Sequence, residues 1–259
     1  MKRIILLLTA AAFALAVSAC RSGVSADPIL KLSAEESLAQ GKELMAKEKP
    51  AKARPYFTHA FEVEPNSAIG REGLLLAADT YYLEGGTTNY VQAEAKYRDF
   101  LNRFPTSTQA AYVQFQIANS LAKRMERPDR DQSVTRKALQ AYEELTRLYP
   151  TSEYAAQAQE QSKLVKANLA EHEFMIGRFY MRFGIPGPAT ERFEYLLTSF
   201  PDYPQKEKVL YNLILAYQQM NKIDDARKTL ERLRTEYPKS PLLAAVPDLK
   251  DKKAGGTAK

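Results

Sequence analysis

The side chains with which a protein does thiol or soft-metal chemistry are scarce in this chain. It holds one Cys, Cys20, and two His, His59 and His172, among 259 residues. A zinc or copper site gathers several sulfur or imidazole ligands, and this set cannot supply them. The two His lie far apart in sequence, and neither has a further ligand at helical spacing. Glu171 and Glu173 flank His172, but neighbours at i±1 point to different sides of a helix. Both His are therefore expected at surface or capping positions. The paired acids Glu143-Glu144 and Asp224-Asp225 read as solvated helix faces rather than acid–base machinery. Gly85-Gly86 reads as a helix–helix turn and Gly255-Gly256 as part of the tail, so no loop has phosphate-binding form. No catalytic residue and no metal ligand is expected, and a lone Cys excludes an intrachain disulfide.

The position of Cys20 gives it another role. Lys2 and Arg3 form a basic start, Ile4 to Val17 an apolar run, and Ser18-Ala19 a small-residue step before Cys20. Fourteen residues of helix rise about 21 Å, less than the ~30 Å of a hydrocarbon core, so residues 1–19 read as a secretory signal. The alternative is an ordinary cleaved signal that contains a Cys. The run VSAC resembles a bacterial lipobox, and that resemblance implies a thioether-linked lipid on Cys20, with no other cofactor. Acyl chains there give stable anchoring. Arg21 after the Cys, where Asp would hold the protein back, favours the outer membrane. Residues 20–31 have no periodicity and read as a lipidated tether.

An apolar fraction of 45% and a charged fraction of 26% belong to a folded, soluble body. The net charge of +6 falls to about +4 once Lys2 and Arg3 leave with the signal. The basic residues are spread among acids, so no nucleic-acid surface is expected.

What must position any functional side chain is a repeat. Five segments align on a final proline: Pro65, Pro105, Pro150, Pro201 and Pro238. Twelve residues before each stands Ala53, Ala93, Ala138, Ala189 or Ala226, and four residues after that Ala comes Phe57, Tyr97, Tyr142, Phe193 or Leu230. Ala permits close helix approach, the residue at i+4 lies on the same face, and Pro cannot continue the helix. This pattern resembles the tetratricopeptide repeat, whose second helix carries A-x3-F and ends in Pro. The first helices match less uniformly. Gly41 and Gly177 fall where the repeat wants a small residue, but Tyr81, Glu126 and Ile214 occupy that place elsewhere. The expected fold is all-α, a right-handed α-solenoid of about five helix pairs over 32–240, followed by a tail, 241–259, disordered at its end.

Helix starts are expected at Asn66-Ser67, Thr106-Ser107, Thr151-Ser152 and Ser240, with Asp131 capping the second helix of the third repeat. From Glu153 to Phe183 only Gly177 interrupts, which predicts one helix of about thirty residues. Such a solenoid presents a groove to extended or helical segments. Two aromatic groupings could anchor a ligand there: Tyr81-Tyr82, and Phe179-Tyr180 with Phe183. The competing reading makes them core. At i and i+4, Phe179 and Phe183 are expected to be packed, with Tyr180 and Arg182 exposed.

Between Arg127 and Tyr203 the pattern narrows. D-R-D-Q at Asp129–Gln132, Y-P-x-S-x-Y at Tyr149–Tyr154, L-A-x-x-E at Leu169–Glu173, F-Y-x-R ending at Arg182, R-F-E at Arg192–Glu194 and F-P-D-Y at Phe200–Tyr203 resemble the BamD/ComL family of outer-membrane assembly lipoproteins. Repeats one, two and five match only at repeat level. The departure is Ile185-Pro186-Gly187-Pro188, where the family usually has a turn without two prolines. The resemblance implies a lipid-anchored scaffold on the periplasmic face of the outer membrane. It would bind the periplasmic repeat domains of a β-barrel assembly subunit and unfolded outer-membrane proteins, with other assembly lipoproteins as further partners. It places Tyr180, Arg182 and Arg192 at the subunit contact and leaves Tyr81 and Tyr82 for the substrate groove. Arg192 reads either as a fork for a partner's carboxylate or as a helix charge paired within the chain. A repeat lipoprotein of another envelope system, such as a pilus or secretin pilotin or a division factor, would share the anchor and the fold.

Overall fold

The computed structural model describes residues 27–250. The signal, Cys20 and the last nine residues lie outside them. Ten α-helices follow one another: α1 Ala34–Ala46, α2 Pro50–Val63, α3 Ala68–Glu84, α4 Thr87–Arg103, α5 Ala110–Ala122, α6 Ser133–Leu148, α7 Glu153–Arg182, α8 Pro186–Ser199, α9 Lys206–Gln219 and α10 Ile223–Glu236. No strand occurs among the described residues. The fold is all-α and tetratricopeptide-like. Two units divide within α3, between Ala77 and Ala78.

The five prolines set the five second-helix ends. Helices α2, α4, α6, α8 and α10 each stop two residues before one, and each C-cap residue directly precedes it. Those residues, Glu64, Phe104, Tyr149, Phe200 and Tyr237, share nearly one backbone geometry, φ from −128 to −135 and ψ from 55 to 68. The proline ring clashes with an α-helical residue before it, and this is the extended escape. The double proline at 186–188 is not a turn. Pro186 is the first residue of α8, where a missing N–H and a fixed φ cost nothing, so these prolines start a helix.

Caps follow the expected residues unevenly. Ser67 Oγ accepts from Gly70 N at 2.9 Å, and Asp131 Oδ1 accepts from Ser133 N at 2.9 Å. Ser33 and Glu36 form a reciprocal capping box on α1. Ser107 instead caps the turn ahead of α5, accepting from Gln109 N. Ser152 precedes α7 but makes no side-chain cap; its Oγ is buried without a partner, and Glu153 in the first turn suits the helix dipole.

In the first unit, Leu38, Ala53, Phe57, Ala60 and Ala77 form the core, with Leu44, Met45, Ile69 and Leu76 packed around it. Gly41 is small for a clear reason: a Cβ there would lie 2.5 Å from the Phe57 ring. The turn Pro28–Lys31 is 3₁₀ and touches α2, so the last residues of the expected tether are ordered. His59 is buried, 7% exposed, and its Nε2–H donates to the Leu32 carbonyl at 3.1 Å. Of the two expected placements, surface or capping, the surface one is corrected: His59 is buried and fastens the chain entering α1.

In the second unit each helix packs on its successor, and α7 also touches α5 and α9, the neighbour pattern of stacked helix pairs. Ala93, Ala138, Ala189 and Ala226 are fully buried, as are Tyr97 and Phe193, with Tyr142 at 1%. A Cβ on Gly177 would lie 2.3 Å from the Phe193 ring, repeating the Gly41–Phe57 contact. The thirty-residue α7 is observed as expected.

Candidate functional site

The motif segments converge on one turn of α7. Glu171, His172 and Glu173 are consecutive, so they leave the helix in three directions, and each takes a different partner. Glu171 Oε2 accepts from the Tyr203 hydroxyl of F-P-D-Y. His172 Nδ1–H donates to the Pro128 carbonyl beside D-R-D-Q at 2.6 Å. Glu173 Oε2 accepts from Arg192 Nη1 of R-F-E at 2.9 Å. Gln132, 1% exposed, closes the D-R-D-Q loop by donating to the carbonyls of Arg127 and Arg130. His172 is therefore a clamp on a loop, and His59 a clamp on a helix entry. No group of three metal-binding side chains forms among the described residues.

Glu173 is 4% exposed. A carboxylate so buried needs a paired cation, and two guanidiniums attend it: Arg192, and Arg136 of α6 at 4.0 Å. Arg192 keeps 43% of its side chain exposed while so bonded, and Arg136 57%. Beside them opens a cavity of about 180 Å³ lined by Arg136, Leu139, Glu173, Tyr195 and Phe200. Arg192 therefore pairs within the chain. Arg136 was not singled out by sequence, because it lies in no quoted motif and its role depends on a carboxylate from another helix.

Two turns beyond Glu173, α7 ends in exposed aromatics. Phe179 is 56% and Phe183 61% exposed, their rings 4.7 Å apart, with Tyr180 against Phe179 at 5.9 Å. The expected packing of Phe179 and Phe183 is overturned: the i, i+4 pair shares a face, but no neighbouring helix covers it. Met175, 40% exposed, and Ile185, 46% exposed, flank it in sequence. Arg182 is exposed and Tyr180 half-buried.

The second candidate region lies at α3–α7. Tyr82 is half-buried, tilted against Tyr90 at 5.6 Å, and lines a cavity of about 330 Å³ with Phe115, Asn119, Lys123, Tyr142 and Leu164. Tyr81 is half-buried too and lies outside that lining. From the cavity a hydrogen-bond chain runs along α5. Tyr142 donates to Asn119 at 2.7 Å, Asn119 to Gln116 at 3.0 Å, Gln116 to the Tyr112 hydroxyl at 3.0 Å, and Tyr112 to Asp79 at 2.9 Å. Tyr97 also donates to Asp79, at 2.6 Å. Burial pushes the Asp79 carboxyl up to about 6, against the pull of those two hydroxyls. Sequence reasoning missed this network. Its trace was legible in Tyr112, Gln116 and Asn119, a polar i, i+4, i+7 stripe on a mostly apolar helix.

Residues 31–233 match the family model YfiO, described as an outer membrane lipoprotein. The chain belongs to this family. Its match spans all of α1–α9 and most of α10, and so includes the Glu171–Glu173 hub and both aromatic regions. Among its relatives is the outer membrane protein assembly factor BamD of Neisseria gonorrhoeae, 29% identical over 94% of each chain. The BamD of Rickettsia prowazekii is 28% identical over 78% of this chain and 79% of its own. A thermophilic TPR protein from Thermus thermophilus, 19% identical, covers 82% of this YfiO chain and 95% of its own with a TM-score of 0.38. At that score the repeat assignment rests on the helix pairing itself. No described helix is long and apolar enough to cross a membrane.

Proposed function

We propose that this YfiO-family chain is a scaffold lipoprotein of the machinery that assembles β-barrel proteins in the outer membrane. The observation that carries the proposal is the family match over residues 31–233, with relatives named as assembly factors. The geometry is of a kind with that role: clamps, ion pairs and exposed aromatics on packed helix pairs, with no constellation suited to bond chemistry among the described residues. In this reading Cys20 carries the lipid that holds the chain on the periplasmic face of the outer membrane. The end of α7, with Tyr180 and Arg182, and Arg192 behind it receive the periplasmic repeat domains of the barrel-forming subunit. The exposed Phe179 and Phe183 join that contact, since a run of uncovered aromatics on a folded surface marks an interaction site. The Tyr82 cavity takes segments of unfolded outer-membrane proteins, with Tyr81 beside it, and other assembly lipoproteins dock elsewhere.

Extraction of the native protein in mild detergent tests the reading. A large β-barrel protein with repeated periplasmic domains should co-purify; a secretin or a pilus subunit in its place would overturn the proposal. Fractionation tests the anchor separately. Cys20→Ser should move the mature chain out of the outer-membrane fraction, and retention at the wild-type level would refute lipid attachment at that residue.

A further inference from the structure

The last helix pair carries something the others do not. In the first four repeats the large residue four after the repeat Ala is sealed: Phe57, Tyr97 and Phe193 are fully buried and Tyr142 is 1% exposed. In the fifth, Leu230 is half-buried. No α-helix follows α10 among the described residues. In its place the chain turns through a 3₁₀ segment, Pro241–Ala245, and runs on without regular structure to Lys250.

Three side chains of α9 and α10 hold that segment, and all three hold main chain. The Tyr211 hydroxyl donates to the Ala245 carbonyl at 3.3 Å, Gln218 Nε2 to the Asp248 carbonyl at 3.2 Å, and Arg227 Nη2 to the Leu249 carbonyl at 3.3 Å. Leu243, Val246 and Leu249, spaced three apart, are half-buried and face Arg227, Leu230 and Arg234 across a slot of about 570 Å³. Glu231 and Asp248 complete the charged wall. Carbonyl recognition carries no sequence information. The only demand on side chains is an apolar one at every third position.

We infer that the outer face of α9–α10 is a binding groove for an extended polypeptide segment, and that residues 241–249 of the chain itself are its resident occupant. The segment caps an end of the repeat stack that would otherwise expose Leu230. Its grip is light, three hydrogen bonds at or just past the long end of the usual range and half-buried side chains, so it can be exchanged. Tethering at Ser240 supplies it at a local concentration in the millimolar range, which an incoming segment must exceed in affinity or avidity. The inference stands independently of which envelope machine the chain serves.

The test uses the full-length chain and a fluorescein-labelled peptide covering residues 240–250, read by fluorescence anisotropy. Changing Leu243→Asp, Val246→Asp and Leu249→Asp together detaches the tail and frees the groove. The freed chain should bind the peptide at least about tenfold more tightly than wild type, the factor set by removing a tethered competitor. Adding Tyr211→Phe, Gln218→Ala and Arg227→Ala to the freed chain should return binding to the wild-type level. A freed chain that binds no more tightly than wild type, or binding indifferent to the three groove changes, would overturn the inference. A second measurement guards against misfolding of the substituted chains. With benzoylphenylalanine in place of Leu230 in an otherwise native chain, the photo-cross-link should fall within 243–249 and pass to added peptide as its concentration rises. A cross-link to the tail that no excess of peptide displaces would count against exchange.

Discussion

At Asp79 a carboxylate sits in a half-closed site between two tyrosine hydroxyls, and burial raises its pKa to about 6 from 3.8. A folded-state pKa above the unfolded one means that the folded chain holds the proton more tightly. The stability this contributes is complete below about pH 4 and is lost as pH rises through about 6, up to about 3 kcal/mol for a two-unit shift. Asp79→Asn keeps an acceptor for the hydroxyls and removes the ionisation. Urea unfolding at pH 4 to 7.5 should show the variant losing less stability than wild type across that window; parallel curves would remove Asp79 as the cause. Glu173 is held by ion pairing instead, buried against Arg192 with Arg136 near it. Arg192→Ala should destabilise by about 1–2 kcal/mol, below the cost of breaking a fully buried pair because the guanidinium is partly solvated. Glu173→Gln in the same chain should restore part of that loss. Arg192→Glu is a poor probe of partner contact, since it sets a second carboxylate against Glu173 and weakens the chain itself. The exposed Arg182, on the last turn of α7, is the cleaner site for charge reversal.

Helix by helix, the packing of the first and fourth repeats turns on a missing methyl group. A Cβ on Gly177 would stand 2.3 Å from Phe193, and one on Gly41 would stand 2.5 Å from Phe57. Helix propensity alone makes Gly→Ala stabilising by about 1 kcal/mol. Overpacking of a sealed core costs about 1–3 kcal/mol, and with a buried ring as the obstacle this term wins. Gly177→Ala should therefore lower the thermal midpoint, and Phe193→Leu added to it should recover part of the loss; a raised midpoint for Gly177→Ala alone would refute the contact. These contacts were legible in sequence because the repeat fixes partners by spacing: Ala, a large residue at i+4 and the stop proline repeat five times. The prolines at 186 and 188 were misread as a turn because a proline is equally at home in a first helical turn. His59 was misplaced because its burial depends on the Leu32 carbonyl, a partner that no local pattern announces. Phe179 and Phe183 were taken for core because apolar spacing reports that two residues share a face, and says nothing of what covers it.

At the scale of the molecule, the interior rings of the described residues hold helices together, and the rings at the end of α7 do not. Rings in the interior are paired with partners across helices, as Phe174 is with Phe193 and Tyr203. The Phe179–Phe183 rings are tilted against each other and left more than half in water. That exposure contributes nothing to folding, so its removal should be nearly free. Phe179→Ser with Phe183→Ser should leave the thermal midpoint within a degree or two of wild type, as surface changes cost within about 0.5 kcal/mol. An interface anchor behaves differently, since truncating one central aromatic costs about 2 kcal/mol or more of binding. If the end of α7 receives the barrel subunit, the double change should cut its co-purification by well over tenfold while stability holds. Loss of stability with retained co-purification would return the pair to the core and move the contact elsewhere. The combination separates the two roles because burial on folding and burial on binding draw on the same apolar surface, and a ring already exposed has only the second left to give.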